Sequence, residues 1–162
     1  MQPETGNRGG RVTLHGTCVT RGEDALLLLG APGSGKSDLA LRLLDRGFEL
    51  VADDRIVMED GLARPPATLA GLIEVRGLGV LRLPHRAPVR PVLILRLDGE
   101  AVRLPGPAMP HPFLRLPVLD LDPRPPSAAA KAEWALDAVV GRRQVATGFL
   151  PLRIGDDDLP GP

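Results

Sequence analysis

Residues 30 to 37 carry the pattern with the most specific chemistry in the chain. A phosphate-binding loop has the form G-x-x-x-x-G-K-[ST]: its backbone N–H groups surround a phosphate, its lysine contacts the outer oxygens and its hydroxyl binds Mg²⁺. The alternative is a glycine-rich turn without a ligand, which the flanking elements disfavour. The sequence therefore predicts that a nucleotide or another polyphosphate binds at Gly30, Ala31, Pro32, Gly33, Ser34, Gly35, Lys36 and Ser37.

The elements on either side of this loop are those that it requires. An apolar run over residues 25–29 predicts a buried strand that leads into the loop, paired in a hairpin with a strand over 12–19. After the loop, Leu39, Ala40 and Leu43 recur at helical spacing, and Gly47 follows where a helix would end.

Two adjacent carboxylates, Asp53 and Asp54, end a second apolar strand, predicted over 48–52. We expect that strand to be a parallel neighbour of the loop strand, which would bring its carboxyl end to the phosphates. Adjacent carboxylates shift each other's pKa values apart, which suits one as metal ligand or orienter and the other as general base. The alternative is an ordinary turn after a strand.

Two further residues have both a structural and a functional interpretation. His15 precedes Gly16 on the first strand, and a lone histidine is usually structural. Glu74 interrupts an apolar strand over 72–75, where alternation would turn it to solvent unless a metal holds it.

The length indicates one domain, and the predicted elements, with more strands than helices around one P-loop, indicate a sheet-rich α/β fold. The chain has 162 residues, 43% of them hydrophobic, and 20 basic residues balance 20 acidic ones, so nothing favours nucleic acid or membrane as a partner. A lone cysteine and a polar N-terminus without a visible signal peptide favour a cytoplasmic protein. We predict disordered ends at 1–10 and 155–162 and a single P-loop domain over 11–154.

The chain beyond residue 60 gives weaker signals. Residues 92–97 predict a buried central strand, residues 62–71 a loop, and residues 114–121 a strand within a proline-rich stretch. Ser127 is a candidate cap for a helix that continues to Val140.

Four motifs in order resemble the bacterial HPr kinase/phosphorylase family. They are His15-Gly16, the loop at 30–37, Leu50-Val51-Ala52-Asp53-Asp54-Arg55 and Ile73-Glu74-Val75-Arg76-Gly77-Leu78-Gly79. The resemblance covers about residues 12–83 and points to the short form with the catalytic domain alone. It implies a sheet-rich P-loop fold akin to that of phosphoenolpyruvate carboxykinase.

The resemblance also implies an activity. It suggests an oligomeric enzyme, with a hexamer as one form, that uses ATP and Mg²⁺ to phosphorylate a serine of HPr, the small phosphocarrier of the sugar phosphotransferase system. Asp53 would then be the base, supported by Asp54 and His15. Ser37 and Glu74 would be metal ligands, and Arg76 would lie near the phosphates.

The resemblance weakens after residue 83. The family carries a Pro-Val-Arg-Pro-Gly-Arg-Asn segment, associated with the reverse reaction by phosphorolysis and with HPr contact. Here residues 116–126 keep Pro117-Val118 and Arg124 but not the pattern, so Arg124 and Arg115 are candidate phosphate contacts only.

Two other functions fit the loop. One is a nucleotide-sensing module without turnover, although such a module has no use for a base beside the phosphates. The other is a P-loop kinase of a different acceptor, for which an arginine-rich lid would be typical.

Overall fold

A computed structural model describes residues 10–150, which form nine strands and two α-helices. The predicted ends fall outside the described residues except for Gly10. The strands are β1 (Arg11–Arg21), β2 (Asp24–Leu29), β3 (Glu49–Ala52), β4 (Arg55–Glu59), β5 (Leu62–Arg64), β6 (Leu72–Val75), β7 (Gly79–Arg82), β8 (Arg90–Arg96) and β9 (Val118–Asp120). The helices are α1 (Lys36–Leu44) and α2 (Ala128–Val139).

One seven-stranded sheet organises the described residues. Its order is β5-β4-β1-β2-β8-β9, and β3 also pairs with β1. On one side of β2, the neighbours β8 and β9 run parallel to it. On the other side, β1 is antiparallel to β2, β3 and β4. The sheet thus has a parallel half and an antiparallel half, while β6 and β7 form a separate hairpin.

The leucine run of β2 explains why this strand lies at the centre. Leu26 and Leu28 belong to a core that includes residues of α1 and α2, whereas Leu27 and Leu29 belong to a core on the opposite face. Because successive side chains of a strand point to opposite faces, a strand buried on both faces reads as a continuous apolar run. The leucine run therefore indicates an interior strand, although it does not show which strands are its neighbours.

A close approach of β1 and β2 requires glycine at position 16. A Cβ atom there would lie 2.6 Å from the Cδ2 atom of Leu29 and 2.9 Å from the carbonyl oxygen of Leu28. The Gly16 N–H donates to the carbonyl of Asp54 at 3.1 Å. The small residue after His15 therefore lets β1 contact both the end of β2 and the acidic pair.

Most predicted elements are confirmed. The hairpin over β1 and β2, the helix after the loop, the buried central strand β8 and the last helix all form. Leu62–Arg64 forms a short strand inside the predicted 62–71 loop, because it pairs with β4 across the turn at Asp60 and Gly61. The strand predicted over 114–121 is limited to Val118–Asp120, and the Ser127 side chain makes no capping hydrogen bond within residues 10–150.

The predicted placement of the strand before Asp53 is wrong. β3 is not a neighbour of β2, because β1 lies between them and pairs antiparallel with both. Strands that are both antiparallel to a third run in the same direction. The carboxyl ends of β2 and β3 therefore still emerge at the same edge. Among the described residues, no helix has the length and apolar character to cross a membrane.

The two-sided burial of β2 gives a stability prediction. Replacing Leu26, which is fully buried, with alanine should lower the free energy of unfolding by about 2–5 kcal/mol, because the core keeps part of the cavity. Leu104→Ala is the control, since Leu104 is 75% exposed. Urea denaturation of both variants measures the difference, and equal losses would contradict this placement of the core.

Candidate active site

The phosphate loop connects the carboxyl end of β2 to the start of α1. Gly33 and Gly35 have φ angles of +80° and +97°, a region that favours glycine because other side chains are strained there. Inside the loop the Ser34 N–H donates to the carbonyl of Ala31 at 3.0 Å. The first N–H groups of a helix lack partners within the helix and attract anions. The loop therefore has the backbone conformation of an anion site at the start of α1.

Lys36 is folded back onto this loop. Its Nζ atom donates to the carbonyls of Gly30 at 2.7 Å and Ala31 at 3.0 Å. Burial lowers the pKa of Lys36 from its usual value, while the negative charges of Asp98, Asp54 and Asp53 act in the opposite direction. The ammonium group thus has weak neutral partners and three carboxylates nearby, and a bound phosphate would be a stronger partner.

Asp53 is the most constrained side chain of the site. Its Oδ1 atom accepts hydrogen bonds from the hydroxyls of Thr17 at 2.9 Å and Ser37 at 2.8 Å. Its Oδ2 atom accepts the backbone N–H of Glu74 at 3.1 Å. The residue is only 6% exposed. One buried carboxylate thus connects β1, the start of α1 and the β6–β7 hairpin.

Asp54 differs from its neighbour in both backbone and exposure. Its φ angle is +68°, and the residue is exposed to solvent. It lines a pocket of about 420 Å³ beside the loop together with Lys36, Ser37 and Asp53. Asparagine and aspartate are among the few residues besides glycine that adopt this backbone region readily.

The β6–β7 hairpin supplies the opposite wall of the pocket. Glu74 and Arg76 are exposed and line it beside the phosphate loop. The backbone N–H of Glu74 bonds to Asp53, so the hairpin and the acidic pair are held together. The structure thus brings the loop, Asp53, Asp54, Glu74 and Arg76 into one site.

Three predicted residues do not line this pocket. His15 pairs with Arg55 of β4 and precedes Thr17 by two positions on β1, which puts both side chains on one face of the strand. Arg124 lies on the other side of the phosphate loop, where its guanidinium group pairs with Asp122. Arg115 also lines no part of the pocket and stands in a loop with a φ angle of +61°.

Sequence reasoning missed two residues of the site, Thr17 and Asp98. Thr17 is a short polar side chain on an apolar strand, two residues after His15, and this alternation was the available signal. Asp98 follows β8, and its Oδ2 atom accepts the backbone N–H of Ala31 at 2.8 Å. Because β8 is the parallel neighbour of β2, its carboxyl end meets the loop, but only the strand order reveals this.

The donor set at Ser37 and Asp53 fits Mg²⁺. This ion prefers oxygen ligands and is usually held by one or two carboxylates together with substrate phosphates. Ser37 Oγ and Asp53 Oδ1 are 2.8 Å apart at the start of α1, and Glu74 lines the same pocket. No cluster of three or more His, Cys, Asp or Glu side chains suited to a metal occurs within the described part of the chain.

Comparisons with known proteins identify the family to which this segment is similar. Residues 9–86 match the family model described as the HPr Serine kinase C-terminal domain. This part of the chain belongs to the HPr kinase family. The matched range contains the phosphate loop, Asp53, Asp54, Glu74 and Arg76, so the family resemblance is confirmed for the segment that forms the site.

Curated relatives carry the same family name. The HPr kinase/phosphorylase of Xylella fastidiosa (strain M12) is 48% identical over 82 residues, which are 46% of this chain and 25% of that protein. The HPr kinase/phosphorylase of Stenotrophomonas maltophilia (strain K279a) is 40% identical over 129 residues, which are 69% of this chain and 40% of that protein. The chain therefore spans between a quarter and two fifths of the length of these relatives.

A solved structure shares the fold. The Hpr(Ser) kinase/phosphatase from Coxiella burnetii matches with a TM-score of 0.56 and 20% sequence identity, covering 80% of this chain and 88% of that one. The prediction of a sheet-rich α/β fold of the HPr kinase type is thus confirmed. The kinship with phosphoenolpyruvate carboxykinase stays a prediction.

The pKa of Lys36 can be tested by NMR, because the chain contains only one other lysine, Lys131. We expect the ε-carbon signal of Lys36 to titrate below the ordinary value of 10.5, because burial penalises the charged amine. Tripolyphosphate should raise this midpoint, since an anion stabilises the ammonium form. The affinity of the protein for tripolyphosphate should therefore fall as the pH rises through the lowered pKa of Lys36, because the amine loses its positive charge.

The variant Lys36→Met assigns the signal in that experiment. It should remove the shifted resonance and leave the other lysine signal in place. A midpoint at or above 10.5 in the free protein would contradict the buried position of the amine.

Proposed function

We propose that this chain is an ATP-dependent protein-serine kinase that phosphorylates HPr. The observation that carries the proposal is the contact between the loop hydroxyl of Ser37 and the buried carboxylate of Asp53, with Asp54 exposed in the same pocket. Phosphoryl transfer needs such an arrangement of phosphate cradle, metal ligands and base. The family match and the names of the relatives support the same reaction class.

The phosphates are positioned by the loop and by Lys36. Backbone N–H groups at the start of α1 accommodate the β-phosphate, as the left-handed glycines allow. Lys36 exchanges the carbonyls of Gly30 and Ala31 for oxygens of the β- and γ-phosphates. A charge-assisted contact with phosphate is stronger than the neutral carbonyl contacts that it replaces.

Ser37 and Asp53 would hold Mg²⁺, with Glu74 as a further ligand. When bound there, the ion would supply positive charge against the negative charge that develops on the phosphates during transfer. Thr17 fixes the Asp53 carboxylate from the opposite side, so that its orientation does not depend on the ligand. His15, two residues earlier on the same strand face, belongs to the polar surroundings of this carboxylate.

The geometry supports Asp54 rather than Asp53 as the base. Reasoning from the residues left open which carboxylate takes which role, and the family resemblance implied Asp53. Asp53, however, already accepts three hydrogen bonds and is almost fully buried. Asp54 is exposed in the pocket, where an acceptor hydroxyl can approach. Asp54 takes the serine proton while the serine oxygen bonds to the γ-phosphorus, and the bond to the β-phosphate breaks to release ADP.

The acceptor and the reverse reaction rest on the resemblance. HPr is the acceptor that the family name specifies. Arg76 is an exposed cation that lines the pocket, where it would lie near the phosphates. Phosphorolysis would use Asp54 in the opposite sense, as the acid that returns the proton to serine. We also expect a homo-oligomer and a single kinase domain over residues 11–154.

The role of the acidic pair is testable with labelled phosphate. Transfer of ³²P from γ-labelled ATP to a serine of HPr should fall by about 10²–10⁴-fold in Asp54→Asn, because the base is lost. Binding of ATP should persist in this variant. Asparagine tolerates the positive φ angle of this position, so the fold should be retained.

The control is Asp60→Asn, because Asp60 also has a positive φ angle but stands in the β4–β5 turn. It should leave the transfer rate unchanged. If Asp53→Asn stopped transfer with Mg²⁺–ATP binding intact while Asp54→Asn remained active, Asp53 would be the base after all. Tight ATP binding by the wild type without any labelled HPr would instead favour a sensor or a different acceptor.

Removal of the metal gives a second test of the mechanism. Chelation of Mg²⁺ with EDTA should abolish labelling of HPr, and Ser37→Ala should raise the Mg²⁺ concentration needed for half-maximal transfer, because one oxygen ligand is lost. Ser127→Ala, a change next to α2, is the matched control. Transfer that survives chelation would contradict the metal site.

A further inference from the structure

A second and larger pocket lies on the other side of the phosphate loop. It has a volume of about 780 Å³ and is lined by the loop, by α1 and by the segments after β8 and β9. It shares Gly33, Gly35 and Asp38 with the pocket that contains the acidic pair. The two pockets therefore adjoin each other at the phosphate loop, and together they are called the trough below.

The strand topology indicates that this pocket is a ligand-binding site. β2, β8 and β9 run parallel, so their carboxyl ends meet at one edge of the sheet. Ligands of open α/β sheets bind in the crevice outside the carboxyl ends of such strands. Segments 97–101 and 122–124, which follow β8 and β9, form the wall of the pocket.

The wall after β9 is held firmly against the loop. The guanidinium group of Arg42 donates to the carbonyls of Pro123 and Pro125. A Cβ atom at Gly35 would lie 3.2 Å from the Cγ atom of Pro123, so the proline ring packs on the loop. The pocket therefore has a fixed apolar surface directly beside the phosphate site.

The charges in this pocket are unsuited to a polyphosphate. Asp38, Glu100 and Asp122 bring three carboxylates to its lining. Arg42 is engaged with the proline carbonyls and with Asp38 at 3.1 Å. Carboxylates repel phosphates but accept hydrogen bonds from sugar hydroxyls.

Arg124 has a planar guanidinium group, and one edge of this group already donates hydrogen bonds to Asp122. Its Nε and Nη2 atoms each donate to Asp122 at 3.0 Å, and its side chain is 88% exposed. The hydrogen bonds from Arg124 hold the pKa of the Asp122 carboxyl below its usual value. This edge of the guanidinium group is not free to donate hydrogen bonds to a phosphate. The two faces of the group can still stack on an aromatic ring.

We propose that this pocket binds the nucleoside of the nucleoside triphosphate, with Arg124 stacked on the base and the carboxylates of Glu100 and Asp122 accepting the ribose hydroxyls. The assignment rests on the proposed kinase function. It gives Arg124 a role in nucleotide recognition instead of the phosphate contact predicted from the sequence. The γ-phosphate then lies at the opposite end of the trough, beside Asp54.

Calorimetric titration with ATP and with inorganic tripolyphosphate, both in Mg²⁺, separates the two parts of the trough. Arg124→Ala should weaken ATP binding about three- to fivefold, the effect of losing an exposed cation–π contact. Ala101→Phe, which fills the pocket from an exposed loop position, should weaken it by about tenfold. Tripolyphosphate, which lacks a nucleoside, should bind both variants as it binds the wild type.

The matched control is Arg11→Ala, because Arg11 is a half-exposed arginine at the start of β1 with an ion pair to Glu59 at 3.9 Å. It should change neither affinity. Equal losses of ATP and tripolyphosphate in Arg124→Ala would make Arg124 a phosphate contact and overturn the assignment, as would unchanged ATP binding in both pocket variants. A wild type that binds neither ligand would overturn the proposed kinase function itself.

Discussion

The hydrogen bonds of Asp53 are the interaction on which the site depends. A buried carboxylate is costly unless donors surround it, and here Thr17, Ser37 and the backbone of Glu74 supply them. These donors come from a strand, a helix start and a separate hairpin. Their convergence on one side chain fixes the position of the hairpin wall relative to the phosphate loop. Loss of the Thr17 or Ser37 hydroxyl would leave a buried charge partly unsatisfied, which explains why a polar residue, Thr17, occurs at a fully buried position of β1.

The two halves of the sheet supply different residues to the site. The antiparallel half, β1 with β3 and β4, delivers Thr17, Asp53 and Asp54 to the side where phosphate would be transferred. The parallel half, β8 and β9, delivers Asp98 and the wall of the larger pocket. β2 lies between them and ends in the loop that both halves share. Under the proposed nucleotide binding, this division would orient the nucleotide along the trough, from the pocket after β9 to the acidic pair.

A network of ion pairs keeps α2 on the same framework. Arg21 of the β1–β2 hairpin donates to Glu133 and to the buried Asp137 of α2, and Arg143 also donates to Asp137. Because α2 follows the proline segment that packs on Gly35, anchoring the helix also limits the movement of that segment. The wall of the larger pocket is thus connected through α2 to Arg21, at the end of β1.

The sequence alone determined the parts of the protein that depend on neighbouring residues. Gly30 to Ser37, the leucines of β2 and the helix that follows are local patterns, and each formed as predicted. The sequence also indicated Asp53, Asp54, Glu74 and Arg76, which share one pocket in the folded chain.

Only the tertiary structure decided the rest, because strand order and burial depend on contacts between residues distant in sequence. It put β1 between β2 and β3, brought Thr17 and Asp98 to the site, and separated Arg124 from it. It also buried Asp53 while leaving Asp54 exposed, a distinction that two identical adjacent residues cannot reveal by themselves.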